Sequence, residues 1–298
     1  MRKMRKMRKM RKMVLATALV TLASASIADI MITGKYKGKI SEDSTTKNYK
    51  YVGDLDLTLK GKAGDTIFTS TFENIGKNGA TAVTVKQSYI ETPIADVIDF
   101  KGGTYKSKNG NGLLQENTTK NRMKFSTEVD GISASVMQVS GESKQEITLS
   151  TTVGPATITV QNVANATRFI TVQSDLAGVS LLVEAQEASA SKTNMGVQAS
   201  VSVGAINLTG VYIDVKDSAG IFQTDGIIGD ISDANSDSTV TGVVATTQIG
   251  LGKVTGKYIT KNNLNTVVGK LNVNNWEFGA SKTENKDAVF DAAITLKF

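Results

Sequence analysis

The sequence predicts an all-β chain, a transmembrane antiparallel β-barrel of about 16 to 18 strands, even in number. Three observations carry that prediction. Apolar and polar residues alternate with period two in pieces of about eight to eleven residues. The connections between pieces alternate between tight turns and longer polar loops. The polar face of each piece carries full charges, while the other mixes Val, Leu, Ala, Gly and aromatics.

In chain order, Ile30, Ile32, Gly34, Tyr36, Gly38 and Ile40 share one face, with Lys35, Lys37 and Lys39 on the other. Tyr51, Gly53, Leu55, Leu57 and Leu59 oppose Lys50, Asp54, Asp56, Thr58 and Lys60. Met195, Val197, Ala199, Val201 and Val203 oppose Gln198, Ser200 and Ser202; Val254, Gly256 and Tyr258 oppose Lys253, Thr255, Lys257 and Lys261. The last piece sets Phe290, Ala292, Ile294, Leu296 and Phe298 against Asp291, Thr295 and Lys297.

Asp130-Gly131, Gly154-Pro155, Ala177-Gly178, Gly250-Leu251-Gly252 and Asn274-Asn275 read as tight hairpin turns. Ser41–Tyr49, Asn74–Ala80, Thr104–Lys120 and Lys216–Ser238 read as polar loops. Both prolines, Pro93 and Pro155, are expected in turns, where a missing N–H costs no ladder bond. A soluble sandwich packs two apolar faces together and has no use for charged lumen residues. A wide barrel with lipid outside and water inside solvates those charges, and closure removes exposed strand edges. A soluble sandwich or β-solenoid is the alternative.

The first 28 residues hold eight cations, from Arg2 to Lys12, and no acid. An apolar run, Met13–Leu22, and small residues ending at Ala28 follow. That order is the one of a secretory signal peptide, cut after Ala28, with residues 29–298 as a single barrel domain. The apolar run is shorter than the roughly 20 residues a spanning helix needs. The net charge of +6 is a property of this leader. Removing its eight cations from 34 Lys+Arg leaves 26 against 28 Asp+Glu, a net of −2. The basic balance therefore gives no reason to expect a nucleic-acid partner.

With no His and no Cys, the chain has no Ser-His or Cys-His nucleophile, no imidazole base, no thiolate metal site and no disulfide framework. An enzyme is not expected, nor a cofactor. Asn109-Gly110-Asn111-Gly112 lacks the Lys-Ser/Thr and helix start of a phosphate loop. Asp225, Asp230, Asp233, Asn235 and Asp237 lack the Gly and terminal Glu of an EF-hand loop, so no metal is assigned. Tyr36, Tyr51, Tyr89, Tyr258, Trp276, Phe278, Phe290 and Phe298 fall near strand ends, as interface girdles require.

Three features resemble the general porins of the Gram-negative outer membrane. One is the C-terminal strand Ala288–Phe298 with its terminal Phe. Another is Asn121-Arg122-Met123-Lys124-Phe125-Ser126 followed by Asp130-Gly131-Ile132-Ser133-Ala134-Ser135-Val136, similar to the hairpin after the family's constriction loop, with Phe125 where the family has Tyr. The last is the position of Thr104–Lys120 as the third long loop. The resemblance implies an outer-membrane homotrimer passing small hydrophilic solutes and ions by passive diffusion through a water-filled channel. It also implies an inward-folded third loop, contacts with outer-membrane lipid and lipopolysaccharide, and a barrel-assembly machinery that reads Phe298. In such a pore, acids on the loop face bases on the wall. The residues offered for that constriction are Lys106, Lys108, Glu116 and Lys120 on the loop, and Arg122 and Lys124 on the adjoining strand. Lys35, Lys37 and Lys39 offer a ladder on the first strand. A secreted or surface-exposed β-rich adhesin without a pore is the alternative function.

Overall fold

The computed structural model describes residues 29–42, 49–75, 84–110, 113–114, 116–143, 145–163, 167–189, 192–216, 222–223, 230–231 and 238–297. The leader (residues 1–28) and Phe298 lie outside the described residues.

The wall starts with β1 (Asp29–Glu42), β2 (Tyr49–Ala63), β3 (Thr66–Ile75) and β4 (Thr84–Ala95). It continues through β5 (Ile98–Asn109), β6 (Glu116–Val129), β7 (Ile132–Val139), β8 (Gln145–Val153) and β9 (Ala156–Val163). Next come β10 (Thr167–Leu176), β11 (Val179–Ser189), β12 (Lys192–Val203) and β13 (Ile206–Val215). Two short strands, β14 (Phe222–Gln223) and β15 (Asp230–Ile231), pair with each other within the longest connection. The wall then resumes with β16 (Ser238–Ile249), β17 (Gly252–Lys261), β18 (Leu264–Val273), β19 (Trp276–Thr283) and β20 (Val289–Lys297).

Eighteen strands form one antiparallel sheet. It closes on itself, because Lys35 of β1 pairs with Asp56 of β2 on one side and with Lys297 of β20 on the other. Closure leaves no strand edge to template aggregation, which a sandwich or solenoid would have to cover by other means. At one end every turn is short. In the β6–β7 turn, Asp130 and Gly131 both take positive φ (51° and 77°), the backbone of a type I′ hairpin, which is why Asp-Gly stands there.

The register fixes which residues share a face. Ile30, Ile32, Met123, Ile170, Val243, Val267 and Phe278 are exposed on the outside of the barrel. The other face is mostly charged or hydroxylated, with one apolar patch at Phe169, Val211, Ile213, Val215 and Val240. Its hydroxyls satisfy one another across strands: Thr58–Thr71 at 3.2 Å, Ser150–Thr159 at 2.9 Å, Ser200–Thr209 at 2.9 Å and Thr266–Thr283 at 3.0 Å. An apolar exterior around a polar interior is the inverse of a soluble protein and suits lipid outside, water inside.

Three sequence expectations shift. Pro93 lies within β4, beside a register irregularity between Pro93 and Ala95, where a strand tolerates a missing donor. Tyr89 faces the lumen instead of a lipid girdle. A bulge between Thr71 and Phe72 of β3 leaves Lys86 unopposed, so Val85 points out while Gln87 and Tyr89 point in. The Thr104–Lys120 stretch is mostly strand: β5 and β6 stay paired up to Asn109 opposite Glu116. Both faces of that extension are polar, so it lacks the apolar alternation that marks a strand in sequence.

Candidate functional site

The candidate site is the lumen beside the β5–β6 hairpin. Its tip lies against lumen-facing side chains of the wall several strands away. Gly110 N–H donates to Gln161 Oε1 on β9 at 3.1 Å. Leu113 and Leu114 N–H both donate to Glu184 Oε2 on β11, at 3.0 and 2.8 Å, and the Thr171 hydroxyl donates to Glu184 Oε1 at 3.1 Å. Leu113 and Leu114 are fully buried, in one apolar cluster with Phe169, Val211, Ile213, Val215 and Val240. Such burial stabilises by roughly 1.5–3 kcal/mol per side chain. Gly196 on β12 makes room for it, since a Cβ there would stand 2.8 Å from that of Leu113.

Arg122 was expected to face water in the filter, but it is 2% exposed. Its Nη1 donates to the carbonyls of Tyr105 at 2.7 Å and Thr118 at 3.0 Å, and Nη2 to the Thr118 hydroxyl. The bond to Tyr105 ties β6 to β5 at the base of the tip, and those to Thr118 hold the side chain along β6 itself. Lys124, two residues on, faces the lumen half-buried, opposite Lys101 and Met137. Lys101 is engaged: Nζ bonds Glu91 Oε1 at 2.9 Å and sits 3.9 Å from the Tyr89 ring centroid and 4.7 Å from that of Tyr105. Lys124, Lys108, Ser135, Glu146, Thr148 and Thr171 help to line a polar cavity of about 200 Å³ under the tip.

The remaining sequence candidates lie along the β5–β6 hairpin and on β1, four strands from β5 in the sheet. Lys106 is exposed opposite Thr119, and its N–H donates to Gln87 Oε1 at 3.1 Å. Glu116 opens β6 opposite Asn109. Lys120 is exposed and ion-paired with Glu142. Lys35, Lys37 and Lys39 form an exposed column on β1, opposite Asp56, Asp54 and Val52, and Lys39 Nζ lies 3.5 Å from Asp291 Oδ2. The structure thus groups Lys108, Lys124 and Arg122 around the hairpin and sets the β1 ladder apart on its own strand.

Sequence reasoning missed the docking partners of the tip, Glu184 and Gly196, and the lumen pair Lys270–Glu277 at 2.9 Å. Glu184 did carry a signal: it is the one acid in Leu181-Leu182-Val183-Glu184-Ala185. Among the described residues no group of three or more acidic side chains is arranged to hold a metal, and no helix is long and apolar enough to cross a membrane.

No family model matches the sequence, and no curated protein matches it. Solved structures do resemble it. OccK8 (OprE) of Pseudomonas aeruginosa superposes with a TM-score of 0.65 at 8% identity, covering 92% of this chain and 99% of that one. A BenF-like porin from Pseudomonas fluorescens Pf-5 gives 0.64 at 11% identity, covering 91% and 99%. The outer membrane protein OpdK of Pseudomonas aeruginosa gives 0.62 at 8%, covering 91% and 100%. At such identities the likeness establishes the fold: this chain has the closed barrel architecture of these proteins.

Proposed function

We propose that the protein is an outer-membrane porin, a water-filled channel through which small hydrophilic solutes and ions diffuse passively. One observation carries this: a closed eighteen-strand barrel with an exposed apolar exterior and a charged, hydroxyl-lined interior. The names of its structural neighbours, a porin and an outer membrane protein among them, support the same reading. An adhesin would have no need for lysines along an interior wall.

In this reading residues 1–28 direct export and are removed, Phe298 serves recognition by the barrel-assembly machinery, and the mature chain works as a homotrimer in contact with lipopolysaccharide. The hairpin tip narrows the lumen as the inward-folded third loop. Lys108 and Lys124 beside it, with Lys106, Glu116 and Lys120 at its rim and Lys35, Lys37 and Lys39 on β1, set the local potential. Arg122 acts by holding the hairpin. Neither Lys35, Lys37 nor Lys124 has an ion-pair partner among the described residues, which favours anions in transit.

Planar-bilayer recording of the detergent-purified mature protein tests this. Stepwise conductance, with a reversal potential of anion-selective sign in a salt gradient, is expected. A protein that stays soluble in buffer and never conducts would overturn the proposal. The cavity under the tip favours, as a second reading, transient solute binding during transit. Saturation of solute flux in liposomes would reveal it, and strictly linear flux would exclude it.

A further inference from the structure

We infer that the cavity under the hairpin tip is a binding site for one uncharged, polyhydroxylated solute of monosaccharide size. The inference rests on the proposed pore and names the class of solute that its wall holds in transit.

The first argument is where the lumen keeps its cations. Lys35, Lys37 and Lys39 stand on β1, Lys101 and Lys124 on β5 and β6, and Lys270 on β18. From β7 to β10 the lumen face carries no Lys or Arg among the described residues. Arg168, the one cation of these strands, alternates with the inward Phe169 and points outward to Glu187. What faces the water instead is a lattice of hydroxyls and amides. Ser135 opposes Thr148 and Thr148 opposes Gln161, while Ser150 opposes Thr159 and Thr159 opposes Thr171. Its two acids stand at opposite ends, Glu146 near the start of β8 and Asp175 near the end of β10, where Asp175 accepts the Ser180 hydroxyl. Hydroxyl and amide groups both donate and accept, the same double capacity that a sugar or polyol presents along its edge. An ion gains more from the lysine side, so the uncharged side selects solutes that carry hydroxyls and no charge.

The second argument is enclosure. On an open wall, water competes for every hydrogen bond. Here the hairpin tip crosses the lattice, with Gly110 N–H on Gln161 and the N–H groups of Leu113 and Leu114 on Glu184. Beneath it lies the cavity of about 200 Å³. About seven waters, at roughly 30 Å³ each, fill that volume, and so does one six-membered ring with its hydroxyls. Sites for drug-sized ligands start at about 300 Å³. Ser135, Thr148 and Thr159 line the cavity, and Phe169 and Met137 supply the apolar part that meets the C–H face of such a ring. The hydroxyls of Ser135 and Thr148 hold no hydrogen-bond partner among the described residues, so both can turn to a solute. Lys108 and Lys124 edge the cavity from the hairpin side, where an ammonium donates to a solute hydroxyl as well.

The test is the ion current of the mature protein in planar bilayers with D-glucose added, since a neutral sugar carries no current and is seen only by the block it causes. Saturable block is expected, with a half-blocking concentration that does not move with ionic strength. Ser135→Ala and Thr148→Val should each raise that concentration about fivefold, the size of one hydrogen bond. Thr295→Val, which removes a lumen hydroxyl on β20 opposite Lys37, should leave it unchanged. A block no larger than that of a polyethylene glycol of glucose size, which only occupies volume, would overturn the site. An equal shift in Thr295→Val would refute its location under the tip. Gluconate blocking at lower concentration than glucose would refute the solute class, because the lysines would then be selecting a carboxylate. A protein that never conducts would overturn the pore itself, and the site with it.

Discussion

The backbone N–H of Leu114 donates to Glu184 Oε2 at 2.8 Å, and the N–H of Leu113 meets the same oxygen at 3.0 Å. A fully buried carboxylate on the wall thus satisfies two donors at the tip of a hairpin that starts six strands earlier in the sheet. Hydrogen bonds to a charged acceptor are worth about 1.5–3 kcal/mol each. That is enough, with two buried leucines, to keep the tip on the wall. In Glu184→Ala the tip keeps its apolar contacts and loses its acceptor. Single-channel currents are expected to change from steady steps to steps broken by brief closures, with Glu184→Gln intermediate because one amide oxygen remains. Quiet traces of wild-type amplitude from Glu184→Ala would refute the latch.

The same tip is tested from its apolar side. The Leu113 side chain occupies the space above Gly196, where a Cβ would come within 2.8 Å. Gly196→Val is expected to displace the tip and reproduce the broken currents of Glu184→Ala, while the barrel still resists unfolding in detergent gels at room temperature. Gly210→Val serves as the control, since a Cβ there meets nothing within 4 Å, and it should leave the current unchanged.

Most of the barrel was legible in the sequence, because lipid and water impose opposite requirements on successive residues. Lys35 to Lys39 and Phe290 to Leu296 show that alternation without interruption. It failed where the physical cause was local. The bulge at Lys86 reversed the facing of Tyr89, and no period-two pattern signals an extra residue. Lys106, Lys108 and Lys120 belong to strands that extend with both faces polar, so composition marked them as loop. The site was less legible than the fold, because contacts such as Glu184 to Leu114 join residues 70 apart in sequence. Arg122 illustrates the difference. Its charge marked it as a filter residue, but the side chain is buried and its Nη1 donates to the carbonyls of Tyr105 and Thr118.

Arg122 and Lys124 should therefore separate in experiment. At 10 Å in water, one unit charge shifts an ion's energy by about 0.4 kcal/mol, a factor of about two in occupancy. Lys124→Glu changes the local charge by two units, which lowers anion occupancy roughly fourfold and raises cation occupancy roughly fourfold, so at low salt the anion-to-cation permeability ratio is expected to fall on the order of tenfold. Arg122→Ala removes the side-chain bond from β6 to the Tyr105 carbonyl of β5 and the two to Thr118. Its main effect is expected to be a lower unfolding temperature, with the loss of buried charged hydrogen bonds costing about 3 kcal/mol or more. An equal selectivity shift in both variants, with no change in stability, would contradict the division of roles.

On the lipid side, Tyr36 and Tyr51 meet hydroxyl to hydroxyl across β1 and β2. They lie over Gly38 and Gly53, which oppose each other directly in the ladder. The glycines leave the depression into which both rings lean, and each phenol answers the other where water is scarce. Removing one partner leaves the remaining hydroxyl without its bond, whereas removing both leaves neither unpaired. Tyr36→Phe and Tyr51→Phe should each lower the stability of the folded barrel in lipid vesicles, and the double variant should recover most of it. If the double variant loses the sum of the two single losses, the hydroxyls act independently and the pair is not a unit.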